Sequence, residues 1–148
     1  MPDVVNAVSV VDRFFSAYNA HDPEAVLSCF APQAASVGPP GQSENRDQIL
    51  SYYELIWTGF PDVTFTVWQT ITEGDEVAAT SMAAGTHTGP FTLPDGEVIQ
   101  GTGRRVAARV CWVFGVENGL IVSQQVFYDQ LEVYAQLGLS CPAPVHRP

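Results

Sequence analysis

The segment RVAARVCWVFGVENGLIVSQQVFYDQ, residues 105–130, decides the fold. Two runs rich in β-branched and aromatic residues flank Asn118-Gly119, a dipeptide that favours a two-residue hairpin turn. The segment predicts strands from 105 to 116 and from 120 to 128, followed directly by Asp129 and by a short helix ending near Gly138. We therefore expect the last hairpin of a sheet to place an aspartate at its end.

The register of this hairpin decides which side chains share a face of the sheet. A two-residue turn places Trp112 opposite Gln125 and puts Arg109 on the other face. A three-residue turn shifts the pairing by one residue and brings Arg109 toward Asp129. Because Asn-Gly suits the two-residue turn, we expect Gln125, Phe127 and Asp129 to face one apolar cavity.

The first part of the chain predicts helices. Apolar residues recur at three- and four-residue steps from residue 4 to residue 18, which indicates an amphipathic helix. Asp22-Pro23 is typical of the start of a second, short helix reaching about residue 30. The Pro- and Gly-rich stretch 31–42 predicts a loop, and a third helix is expected from 46 to 58, ended by Gly59.

Beyond residue 62 the apolar period changes to two, which predicts strands from 63 to 71 and from 76 to 88. Residues 89–103 form a connection rich in glycine and proline. Helices followed by antiparallel strands indicate an α+β fold, here a cone of three N-terminal helices packed on a curved, mainly antiparallel sheet. We expect one domain over residues 1–138 and a Pro-rich C-terminal tail over 139–148.

Charge and composition exclude several functions. The net charge is −10 and all six basic residues are arginine, a balance that disfavours nucleic acid and anionic membranes as partners. No apolar run approaches the roughly 20 residues of a membrane span, and the start Met1-Pro2-Asp3 lacks the basic region of a signal peptide, so we expect a cytoplasmic protein. The cysteines have no metal-ligand spacing, and no metal is expected.

Several motifs together resemble SnoaL-like polyketide cyclases of the nuclear-transport-factor-2-like (NTF2-like) superfamily, over about residues 4–138. The motifs are Ala17-Tyr18-Asn19, His21-Asp22, Phe60-Pro61-Asp62, Gly85-Thr86-His87-Thr88-Gly89-Pro90-Phe91, Thr102-Gly103-Arg104, Asn118-Gly119, Tyr128-Asp129-Gln130 and Gln136-Leu137-Gly138.

The resemblance implies a homodimer or homotetramer, no metal or organic cofactor, and a carboxylate acting as acid and base. It places Asp129 at the catalytic aspartate and Tyr18 at a tyrosine of the cyclase pocket. The family's aldol cyclases carry a histidine on the preceding strand, and residues 110–115 contain none, so the resemblance does not imply an aldol reaction.

We therefore expect a cofactor-independent cyclase of polyketide or related secondary metabolism, such as antibiotic biosynthesis. Asp129 would transfer the proton, with its pKa raised by an apolar pocket, and His87 is the second acid/base candidate. Structural alternatives are an N-cap for Asp129 and a hydrogen-bonded strand end for His87. The expected pocket residues are mostly aromatic: Tyr18, Tyr53, Trp57, Trp68, Met82, Phe91, Trp112, Gln125 and Phe127.

Other functions remain open on the same fold. An epoxide-opening cyclase or hydrolase would need Arg109 beside aspartates in the cavity. A component of a hydroxylation system is compatible with the missing strand histidine. A non-catalytic protein that binds a small hydrophobic molecule would need only the cavity.

Overall fold

The computed structural model describes residues 2–140, and the side chains of residues 7–140. Its helices are α1 (Pro2–Asn19), α2 (Pro23–Leu27), α3 (Arg46–Gly59) and α4 (Gln130–Leu137). Its strands are β1 (Phe30–Gly38), β2 (Gly41–Ser43), β3 (Thr64–Glu73), β4 (Glu76–Thr86), β5 (Phe91–Thr92), β6 (Val98–Ile99), β7 (Arg105–Glu117) and β8 (Leu120–Phe127). Most of the Pro-rich tail, residues 141–148, lies outside the described residues.

The predicted fold class is confirmed, with the helices packed on one curved sheet of order β2-β1-β8-β7-β4-β3. Neighbouring strands run antiparallel except for β1 and β8, which are parallel. The core lies between the concave face of the sheet and the helices. Its centre is the fully buried Phe14 of α1, whose ring packs edge-on against Phe30, Trp112 and Phe114.

Side-chain caps explain where the helices begin. The Asp22 carboxylate accepts from the Ala25 N–H at 3.2 Å, and the Asn45 side chain accepts from the Gln48 N–H at 3.0 Å. Each cap satisfies one backbone donor that has no partner within its helix. Both starts agree with the predictions: α2 follows Asp22, and α3 begins at the expected Arg46.

The loop expected over residues 31–42 is wrong, because β1 and β2 occupy most of it. The segment is poor in strand-forming residues, and its pairing with β8 slips between Phe30 and Ala35, around Pro32. The strand exists because the edge of β8 supplies hydrogen-bond partners, a tertiary contact that overrides weak local propensity.

The turn between β7 and β8 has two residues, as predicted: Glu117 pairs with Leu120, and Asn118 and Gly119 have φ of +53° and +75°. The predicted register is nevertheless wrong. Val116 pairs with Ile121 but Gly115 pairs with Ser123, so a bulge leaves one extra residue on β8. Beyond the bulge every β8 side chain lies on the face opposite to the expected one.

Candidate ligand-binding site

A cavity of about 260 Å³ lies between the concave face of the sheet, the helix α3 and the β1–β2 hairpin. Most of its wall is aliphatic or aromatic, and the described lining residues include no carboxylate, imidazole, lysine or arginine. The wall's hydroxyl and amide side chains are Tyr18, Ser36, Gln42, Ser43, Tyr52, Tyr53 and Tyr128. An apolar hollow with a few convergent polar groups is the usual form of a small-molecule site.

Four tyrosines from three elements meet in this cavity. Tyr18 comes from α1, Tyr52 and Tyr53 from α3, and Tyr128 follows β8 directly. The rings of Tyr18 and Tyr53 are 5.0 Å apart at 82°. Burial is the main reason that the pKa of each phenol lies above its usual range. Neighbouring phenols of the cavity raise the pKa values of Tyr18, Tyr52 and Tyr53 further, whereas a hydrogen bond from Tyr52 lowers that of Tyr128. The phenols are therefore protonated at neutral pH and act as neutral hydrogen-bonding groups.

Gln124 connects two polar groups of the cavity wall. Its side chain is buried, and its Oε1 accepts from the Tyr53 hydroxyl at 2.6 Å and from the Ser36 hydroxyl at 2.9 Å. Because β1 pairs with β8 through Ser36 and Gln124, the register of that parallel pair creates this network. Neither residue was predicted to belong to the site, because neither the strand β1 nor the bulge was predicted.

Two aromatic walls are held by specific contacts. The Trp112 indole N–H donates to the Ser81 hydroxyl at 3.1 Å, and Ser81 donates to the Val110 carbonyl at 2.9 Å, which fixes the orientation of the ring. Phe91 lies against α3 at Gly59, where an added Cβ would lie 2.8 Å from the Phe91 Cβ. Trp112, Phe91, Tyr18 and Tyr53 all line the cavity, and their contact with a substrate stays a prediction.

Asp129 does not lie in the cavity, and the expectation of a buried carboxylate in an apolar pocket is wrong. Its side chain is exposed and caps α4, accepting from the Glu132 N–H at 3.2 Å. The physical cause is the bulge, which turns Gln125, Phe127 and Asp129 outward and Gln124 inward. The structural alternative, a helix N-cap, is the one that the geometry realises.

An outer groove on the convex face of the sheet collects the remaining misplaced residues. Arg109 and Asp129 line it together, with Trp68 and Phe127, which are 55% and 53% exposed. Gln125 is exposed on the same face, and Met82 pairs with Arg109 there rather than lining the cavity. The expected pocket positions of Trp68, Met82, Gln125 and Phe127 are therefore wrong.

His87 and Trp57 lie in the core, behind the cavity wall. His87 is fully buried, packs against Phe60 and Phe91, and its Nδ1 lies 3.0 Å from the Thr102 hydroxyl. Trp57 is buried and stacks on His21 at 5.1 Å. Neither residue lines the cavity, so neither His87 nor Trp57 is placed to contact a ligand there, contrary to the expectation.

Tyr52 and Tyr128 also line the cavity, although neither was predicted to do so and each is adjacent in sequence to a predicted site residue. Tyr52 precedes the expected Tyr53 on α3, and Tyr128 precedes Asp129. A bulge in β8 would have assigned Tyr128 to the inner face, but nothing in the sequence of that strand marks the bulge.

Residues 2–140 contain no cluster of three or more His, Cys, Asp or Glu residues able to hold a metal ion. None of its helices is long and apolar enough to cross a membrane.

Comparison with known families gives a match to the SnoaL-like domain over residues 11–124. The chain belongs to the SnoaL-like family. The matched segment covers most of the cavity wall but ends before Tyr128 and Asp129. Comparison with curated protein sequences gives no match.

Solved structures share the SnoaL-like fold of this chain. IdmH from Streptomyces antibioticus, described as a candidate polyketide cyclase, is 27% identical, with a TM-score of 0.76 over 90% of this chain and 99% of IdmH. A candidate SnoaL-like polyketide cyclase from Jannaschia sp. CCS1 is 23% identical, with a TM-score of 0.83 over 98% of this chain and 97% of that one.

An LEH-like epoxide hydrolase from M. tuberculosis is 19% identical, with a TM-score of 0.68 over 92% of each chain. At such low identity, the Jannaschia protein and the hydrolase establish the fold alone. The SnoaL-like assignment thus agrees with the predicted NTF2-like cone and leaves the reaction to be argued from the cavity.

Proposed function

We propose that this protein is a cofactor-independent SnoaL-like cyclase that closes a ring in a hydrophobic, polyketide-like substrate of secondary metabolism. The observation that carries the proposal is the apolar cavity with its four grouped phenols. The similarity to IdmH, a candidate polyketide cyclase, supports the substrate class.

The cavity would act first by folding the substrate. A flexible chain confined by aromatic walls has its reacting carbons held close together, which lowers the entropic part of the barrier. If the ring closure is an aldol addition, which the cavity permits and the resemblance does not by itself imply, an enol carbon attacks a carbonyl carbon, the enol loses its proton, and the carbonyl oxygen gains one. This exchange is neutral in protons overall, so hydroxyl groups can relay it.

The phenols would stabilise the oxygen on which negative charge develops. Donors that are already in place in a dry cavity are worth more than the same donors in water. We assign the proton relay to Tyr18 and Tyr128 because the described lining residues include no carboxylate or imidazole. A direct catalytic role of Asp129 stays a prediction, which the turnover of an Asp129→Asn variant tests.

The test compares one Tyr→Phe change in the cavity with a matched control. Tyr18→Phe should reduce the enzyme-dependent cyclisation of an aromatic poly-β-ketone by roughly 10²-fold, the usual effect of losing one oxyanion donor. Tyr134→Phe is the control, since Tyr134 is buried but does not line the cavity. Product formation is followed by chromatography and mass spectrometry against the spontaneous reaction. Equal turnover in both variants would refute the assignment.

One observation favours a second function. A cavity whose described lining has neither a carboxylate nor an imidazole also suits a non-catalytic protein that binds a small hydrophobic molecule. In that case the wild-type protein would bind the poly-β-ketone without exceeding the spontaneous rate. Epoxide opening gains no such support, since Arg109 and Asp129 lie on the outer face.

We further propose a homodimer or homotetramer, which light scattering would measure directly. The support is the exposed apolar surface around the outer groove, formed by Trp68, Ile71, Phe127 and Leu131. Large apolar patches on a soluble domain commonly mark contacts with another subunit.

A further inference from the structure

We propose that Gln124 makes Tyr53 and Ser36 a pair of hydrogen-bond acceptors, so that the cavity selects ligands carrying a free enol or phenol hydroxyl. The inference deepens the proposed function and rests on it. It concerns which atoms of the substrate the cavity recognises.

The orientation of the Gln124 amide follows from a distance. The Tyr53 oxygen lies 2.6 Å from the Gln124 Oε1, a separation typical of O–H···O bonds and shorter than the usual N–H···O bond. The amide oxygen therefore faces the two hydroxyls, and both the Tyr53 and the Ser36 protons point at Gln124.

This orientation settles what the two hydroxyls can offer a ligand. A hydroxyl has one proton and two lone pairs. Once the proton is committed to Gln124, only lone pairs remain for the cavity, and both Tyr53 and Ser36 line it. A ligand atom that bonds to either oxygen must bring its own proton.

Other phenols of the cavity have the opposite character. In the described part of the chain, the Tyr18 hydroxyl donates to no protein acceptor in hydrogen-bond geometry. The Tyr128 oxygen accepts from the Tyr52 hydroxyl, a bond that lowers the pKa of Tyr128 and raises that of Tyr52, so the Tyr128 proton stays available. These phenols are free to donate to a ligand carbonyl. The cavity thus presents donors at one place and acceptors at another, which fits the enol form of a 1,3-dicarbonyl or an aromatic hydroxyketone.

The nitrogen of the Gln124 amide indicates that this side chain does more than fill space in the core. Its Nε2 is buried and has no hydrogen-bond partner among the described residues. A buried amide with unpaired donors destabilises the fold, whereas a methionine of similar size would carry no such penalty. The amide oxygen is the atom that contacts the cavity wall, through its bonds to Tyr53 and Ser36.

The experiment uses three ligands with the same ring system and different substituents, of which the hydroxyl and the fluorine are similar in size. Dissociation constants of 2-naphthol, 2-fluoronaphthalene and 2-acetylnaphthalene are measured by ligand-observed NMR. Wild-type protein should bind 2-naphthol about three- to tenfold more tightly than 2-fluoronaphthalene, the range expected of one hydrogen bond. Tyr53→Phe and Ser36→Ala should each reduce that preference.

Gln124→Met separates positioning from packing. It frees the Tyr53 proton, so the preference for 2-naphthol should fall while 2-acetylnaphthalene, which carries only an acceptor, binds more tightly. A purely structural role would weaken all three ligands together. Gln125→Met is the matched control, because Gln125 is the exposed neighbour on the same strand, and it should change nothing.

The possible outcomes distinguish a failure of the proposed function from a failure of this inference alone. If no naphthalene binds the wild-type cavity, the proposed function fails. If the probes bind without a preference for the hydroxyl, or if the preference survives in Gln124→Met, only this inference fails. Should Gln124→Met not fold, Tyr53→Phe and Ser36→Ala decide the same question.

Discussion

The two faces of the same sheet differ in what they could do chemically. The concave face holds the cavity, its phenols and the buried Gln124, while the convex face holds Arg109, Asp129 and an exposed tryptophan. Charged groups that look catalytic in the sequence lie on the wet face, whereas the polar groups among the described residues of the cavity lining are all neutral. One bulge between Gly115 and Val116 separates these arrangements, so chemistry in this fold depends on strand register.

The largest difference between the faces should appear in stability, on replacing one tryptophan of each. Trp112→Ala removes a buried ring from the cavity wall and should lower the free energy of unfolding by about 3–5 kcal/mol. Trp68→Ala removes a ring that is 55% exposed, so in the monomer, at protein concentrations below oligomer formation, it should lower that free energy by no more than about 1 kcal/mol. Urea unfolding of both variants measures the contrast, and equal losses would contradict the assignment of faces.

Alkaline pH should act through the concave face. The phenols of Tyr18, Tyr52, Tyr53 and Tyr128 have pKa values raised above the usual 10.0, chiefly by burial. In the unfolded chain they ionise near pH 10, whereas in the native protein they keep their protons. The unfolded state therefore binds fewer protons above pH 10, and stability falls as pH rises.

The stability that these tyrosines contribute is fully present below pH 10 and is lost as the pH rises toward their native pKa values. Each one contributes a slope of up to about 1.4 kcal/mol per pH unit. Urea unfolding at several pH values measures the slope, and absorbance of phenolate near 295 nm follows the ionisation itself. Native phenols that all titrate near pH 10 would show that they are not buried.

How much the sequence predicts differs between these faces for a physical reason. Predictions that depend on residues adjacent in sequence are confirmed: Asp22 caps α2, Asn118-Gly119 forms the turn, and Gly138 ends α4 with φ of +78°. Tyr18, which the resemblance assigned to the pocket, and Trp112, a large aromatic residue on an inward face, both line the cavity.

What failed depended on contacts between distant segments. The strand β1 forms only because β8 offers it an edge, and its own residues favour a loop. The bulge in β8 has no local signal, yet it moved Asp129 outward and Gln124 inward. A family resemblance places a residue at a position along the chain, but it does not place the side chain on a face.

The smallest expected effect tests the convex face at Asp129. As an N-cap, Asp129→Ala should lower the free energy of unfolding by about 1 kcal/mol, whereas Asp129→Asn should change it by only a few tenths, because asparagine caps equally well. Ligand affinity and cyclisation should stay at the wild-type level in both, since the side chain is exposed and lies outside the cavity. A general acid or base behaves differently: Asn keeps the cap but cannot transfer the proton, and turnover would fall by at least about 10²-fold. Comparing the two variants therefore distinguishes a carboxylate that caps a helix from one that transfers a proton. A stable but inactive Asp129→Asn protein would show that the reaction takes place in the outer groove.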